Sequence, residues 1–211
     1  MTLSSVPPLI SSLLFASLGF FVLKKNKNSQ LNQDFFLLCV TTFLWQFSWA
    51  ILFSLKSSHE SIFFLTKIGY TGILFLPLFY FRFIVHFVRS KKDKWQLVAT
   101  YCFCVSMLVL IWTTNLFLDG YTLHSWGPYP RAGLLHPSYL VVLAALSFRG
   151  LVLLLHELNH ETSSHRRSQI KYLVWALLIY IPASSDFLVN YGVNFYPPGF
   201  VFITGFLFIT G

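Results

Sequence analysis

Long apolar blocks separated by short polar clusters run the length of this chain. A helix needs about 20 predominantly apolar residues to cross the hydrocarbon layer of a bilayer. Six blocks approach or exceed that length: 6–23, 35–55, 62–88, 95–118, 138–155 and 170–189. A seventh begins near Pro198 and is still running at Gly211, after only fourteen residues. That is too short to span, so the chain is expected to be part of a longer protein whose last helix continues. The third block is long enough to tilt, and Pro77 is placed to kink it. A loop of 19 residues, 119–137, rich in Gly, Pro and aromatics, joins the fourth block to the fifth. The first block does not read as a signal peptide. No basic region precedes it, and Lys24, Lys25 and Lys27 follow it. The pattern predicts an all-α integral membrane bundle of seven transmembrane helices, with 1–211 forming one domain.

Composition supports the same reading. The chain is 55% hydrophobic and 19% aromatic, and only 10% of its residues are charged. A soluble domain carries about 25% charged residues, so a water-facing surface cannot be built here. The mean hydropathy of +0.65 agrees. The net charge of +8 would suggest nucleic acid in a soluble protein. Its placement says otherwise. Ten of the fifteen basic residues fall on three alternate connections: Lys24, Lys25 and Lys27; Arg89, Lys91, Lys92 and Lys94; Arg166, Arg167 and Lys171. The other connections hold only Lys56 and Arg131, with Lys67 near a helix end. Basic loops stay on the cytoplasmic side. The N-terminus is therefore expected outside and the C-terminus in the cytoplasm, in a multi-pass membrane protein. The lipid bilayer is its first partner, and nucleic acid is not one.

Cys39, Cys102 and Cys104 lie inside apolar runs without metal-ligand spacing and read as small core residues. The motif His156-Glu157-Leu158-Asn159-His160 fits the zinc-protease pattern H-E-x-x-H. A third ligand is missing, because Ser163 and Arg166 stand where the glycine and third histidine of the extended motif belong. Asp186 is the only aspartate on a later helix, and it lies about 24 Å along its helix from Ile170, towards the opposite membrane face. The motif reads as a solvated helix end, and neither metal nor cofactor is expected.

Polar groups inside a bilayer are costly and mark function by default. Arg82 and His86 lie one turn apart on the inner half of the third helix, and Arg149 lies on the inner half of the fifth. Either they snorkel to the headgroups or they form an internal network. Asp186, near Tyr191 and Tyr196, cannot snorkel well and reads as a pocket anion, as a partner for an outer-side base such as Lys67, or as a residue at the lipid interface. Trp45, Gln46 and Trp49 on the second helix, with Tyr70 on the third and Tyr196 beyond the sixth, would suit an aromatic-lined outer pocket for a small amphiphile. Gly69 and Gly72 suit close helix contact.

Three segments carry a family resemblance. One is Arg167-Ser168-Gln169-Ile170-Lys171-Tyr172-Leu173. A second, 185–200, includes Ser185-Asp186-Phe187-Leu188-Val189-Asn190-Tyr191-Gly192 and ends in Tyr196-Pro197-Pro198-Gly199-Phe200. The third is Trp126-Gly127-Pro128-Tyr129-Pro130-Arg131-Ala132-Gly133-Leu134-Leu135-His136. Together they resemble the N-terminal seven-helix sensor region of bacterial histidine kinases, and the chain departs slightly from that pattern at Pro198, where a bulky residue is commoner. The resemblance implies an input module of a two-component system, with no catalytic domain of its own. A cytoplasmic kinase or other output domain would follow in the same polypeptide, and a second copy of the chain is a candidate partner. No histidine here inherits the phosphoacceptor role. The signal would be a small molecule or a change in the membrane. The competing class is a small seven-helix solute transporter, although no internal repeat supports it and Pro77 and Pro182 sit in unmatched surroundings.

Overall fold

The computed structural model describes residues 2–54 and 58–210, with backbone alone over 206–210. Seven α-helices follow the apolar blocks: α1 (Val6–Lys25), α2 (Gln30–Leu52), α3 (His59–Phe87), α4 (Lys94–Thr113), α5 (His136–His160), α6 (Ser164–Tyr180) and α7 (Gly199–Thr210). Serines start three of them. Ser29, Ser58 and Ser163 accept from the backbone N–H three residues on, satisfying one of the orphan donors at each helix start. Among the described residues, six helices are long and apolar enough to cross a membrane, the sixth including the 3-10 helix Ile181–Tyr191 that continues α6. The end of the second expected block and Lys56 lie outside the described residues, as does Gly211.

Two expectations need correction. The 119–137 loop is not irregular. It folds into an antiparallel hairpin, β1 (Leu118–His124) and β2 (Gly127–Ala132), so the fold is not wholly α. Its turn needs Gly127, which sits at φ 144° against Phe53. The sixth helix also does not stay α-helical to Val189. It tightens at Ile181-Pro182, because Pro182 has no N–H to continue the α ladder.

Helix α3 is central, with α2, α4 and α5 against it. Helix α1 packs on α2 and α7, and α6 packs on α5 and α7, which closes a ring. The interior is more polar than a soluble core. Ser11, Ser12, Asp34, Gln46, His136, Asp186 and Asn190 are buried, whereas Phe148 and Val141 are about 70% exposed. Among the cysteines, Cys39 and Cys104 are buried but Cys102 faces outward. This follows from the solvent, since lipid offers apolar side chains no penalty and polar ones no partner.

Small residues set the closest approach. A Cβ at Gly72 would lie 2.5 Å from the Thr41 carbonyl oxygen, and one at Gly69 would lie 2.1 Å from the Trp49 ring. We expect Gly72→Ala to force α2 and α3 apart at a cost of about 2 kcal/mol. Gly205→Ala, whose Cβ meets only Ile179 at 3.5 Å, should be near neutral. Thermal unfolding in detergent checks both, and equal midpoints would refute the close-approach account.

Candidate functional site

At the end of the bundle that carries the hairpin, the polar residues join into one chain. His136, at the first position of α5, is fully buried. Its Nδ1 lies 2.8 Å from the Tyr191 hydroxyl and its Nε2 lies 3.2 Å from the Tyr70 hydroxyl. Asn190 donates to the same Tyr70 oxygen. Elements α3, α5 and the 3-10 helix are thereby tied at one point, and Phe117, Tyr139 and Phe187 close rings around it. Next to it, Asp186 is 5% exposed and accepts the Gly199 N–H at 2.8 Å. Gly199 opens α7, so this carboxylate caps the helix from a distance, at its positive end. Only glycine leaves room, because a Cβ at 199 would stand 2.1 Å from Asp186 Oδ2. Tyr129 of the hairpin donates to the Asp186 carbonyl at 3.3 Å, and Tyr196 donates to the Ser4 carbonyl at 2.6 Å. Burial, with the Asp186 carboxylate adding to it, pushes the Tyr196 phenol up to about 12, which keeps it a donor.

Trp45, Gln46, Trp49 and Tyr70 are all buried, at 5% exposure or less. Trp49 meets Tyr70 and Tyr129 at ring distances of 5.9 and 5.8 Å. These rings fill the space where an open outer pocket was expected. The open space is instead a groove of about 410 Å³ between α5 and the sixth span. It is lined by Leu143, Phe148, Tyr180, Phe187 and Tyr191, so it reaches the tyrosine that holds His136. Asp186 does not pair with Lys67, whose ammonium lies over the Phe63 ring at 4.8 Å.

The opposite end is held by arginines. Arg82 Nε lies 2.8 Å from Asp34 Oδ1, and His86 Nδ1 bonds the other oxygen of the same fully buried carboxylate. Arg82 also donates to Tyr101 on α4 at 2.6 Å. Arg149 pairs with Asp93 at 2.8 Å, and Ser90 donates to that acid. Arg166 donates to the Phe87 carbonyl and lies over the Phe87 ring at 3.7 Å. Both arginines thus meet a buried acid, with side chains 24% exposed at Arg82 and 39% exposed at Arg149. Asp34 escaped the sequence reading because helix α2 begins at Gln30, a turn before the apolar block. Asp93, His136 and Asn190 were likewise missed as partners, since each lies at a segment border. The histidine of a His-Pro start to α5 and the asparagine beside Tyr191 were the available signals.

His156 and His160 have ring centroids 4.5 Å apart. Among the described residues, no three His, Cys, Asp or Glu side chains are placed to hold a metal ion.

No curated protein matches the chain. The family model for the N-terminal 7TM region of histidine kinase matches residues 7–211. A bundle of membrane-length helices, closed at one end by a hairpin and at the other by arginine pairs, is thus the setting of an input sensor region. The chain belongs to the family of N-terminal seven-transmembrane regions of histidine kinases.

Proposed function

We propose that this multi-pass membrane region receives a signal in its outer half and passes it through α7 to a cytoplasmic output domain beyond Gly211. Seven spans, an outside N-terminus and a cytoplasmic C-terminus complete the proposal, in a bacterial inner membrane. The alternating basic connections support that orientation. The observation that carries the reading is the buried chain Tyr70–His136–Tyr191, set beside the Asp186 cap on the first residue of α7. A signal that binds one packing of these groups better than another biases α7 by that difference in affinity and no more. Trp45, Gln46, Trp49, Tyr70, Asp186 and Tyr196 form the receiving core in this reading. The groove beside Tyr191 gives a small amphiphile, or a lipid, access from the membrane.

The test is a fusion of a histidine kinase core after Gly211, assayed in vesicles. Asp186→Asn and Trp45→Ala should each change basal phosphorylation at least threefold while insertion stays normal. Unchanged phosphorylation in both variants would sink the outer-core reading. Concentrative solute uptake by the unfused chain would favour a transporter instead.

A further inference from the structure

We propose that the cleft between the α3–α4 turn and α5 is a binding site for the headgroup of an anionic, phosphoglycerol-type phospholipid. It has a volume of about 460 Å³ and is lined by Lys91, Lys92, Arg149, His156 and Glu157 around the buried Asp93. The proposal rests on the membrane location of the chain and not on the outer-core reading.

The cleft is built and held in place. Helix α3 ends in a tight turn with Arg89 in the left-handed region at φ 56°. There Ser90 N–H bonds the Val85 carbonyl at 3.0 Å and Arg89 N–H bonds the His86 carbonyl at 3.2 Å. Asp93, 1% exposed, then takes both Arg149 Nε and Nη2 at 2.8 Å and accepts from Ser90. Its charge is spent inside the protein, and the turn is pinned to α5. Lys91 and Lys92 make no ion pair among the described residues, and Arg149 has a guanidinium nitrogen beyond the two that Asp93 engages. A phosphodiester matches these donors. Glu157 and His156, further along α5 than Arg149, can bond the hydroxyls of a glycerol headgroup, which inorganic phosphate lacks. Val88, Val152 and Leu153 complete the wall with apolar side chains, and Trp95, at the start of α4 two residues after Asp93, is 68% exposed.

The test titrates the delipidated chain in detergent with defined lipids and counts bound lipid by native mass spectrometry. Phosphatidylglycerol should bind at concentrations where phosphatidylethanolamine and phosphatidylcholine do not. Lys91→Ser and Lys92→Ser should weaken it about fivefold for each lysine removed. Both leave the Asp93–Arg149 pair intact, which unchanged thermal unfolding verifies. Lys24→Ser with Lys27→Ser, on another basic connection, should leave binding unchanged. Equal losses in the two pairs of variants, equal binding of all three lipids, or displacement of the lipid by equimolar inorganic phosphate would each overturn the proposal.

Discussion

Replacing Asp34 by alanine should cost about 3 kcal/mol of stability, the largest loss expected from any single truncation in this bundle. Asp34 is fully buried and is shared by Arg82 and His86, while Arg82 also donates to Tyr101. Removing the carboxylate leaves a guanidinium at a helix junction without its counter-ion, and the three helices α2, α3 and α4 lose their common tie. The figure sits at the lower end of the range for broken buried pairs because the Arg82 side chain is still 24% exposed. Unfolding in detergent micelles measures it. Asp34→Ala combined with Arg82→Met should recover much of the loss, since an apolar replacement leaves no orphaned charge. A single-variant loss below about 1 kcal/mol, or strictly additive losses in the double variant, would refute the buried-pair account.

The second large effect is expected at Gly199. An alanine there would place its methyl carbon 2.1 Å from Asp186 Oδ2, which no side-chain adjustment absorbs while the cap remains. The carboxylate must swing away, α7 loses its only described side-chain cap, and a buried acid is left without its donor. About 2 kcal/mol follows from the unmade hydrogen bond. In the kinase fusion, the junction between the sixth span and α7 should loosen, so that phosphorylation no longer follows the outer core. The diagnostic result is non-additivity. Asp186→Ala makes room for the methyl group, so Gly199→Ala added to it should cost almost nothing further. If the two losses simply add, the clash is not the cause. If both variants leave phosphorylation unchanged, the cap does not transmit the signal.

Particular residues show how far sequence reasoning reached. Helix positions followed from the apolar blocks because a bilayer demands length and continuous apolarity, and both are local properties. Arg82, His86, Arg149 and Asp186 were legible as unusual because a polar group in such a block is rare. Their partners were not. Asp34 lies 48 residues from Arg82, and no local pattern announces that pairing. The hairpin was hidden by its prolines and glycines, which read as a loop. It forms because Tyr129, Trp126 and Gly127 pack on Trp49, Tyr196 and Phe53, residues supplied by other elements. The expected aromatic pocket joined Trp45, Gln46 and Trp49 to Tyr70 and Tyr196, but no local pattern showed that Trp49 packs directly on Tyr70 and on Tyr129 of the hairpin.

The sequence by itself determined that the chain is a membrane bundle, where its helices run, and which few polar residues are exceptional, since hydrophobic length and charge spacing are written along the chain. Only the tertiary structure decided which acid meets which arginine, that Asp186 holds the start of α7, and that the open groove lies beside Tyr191. Those are contacts between residues far apart in sequence. In a low-dielectric interior they are favoured because an unpaired buried charge or polar group is costly, and the fold brings partners together from distant parts of the chain.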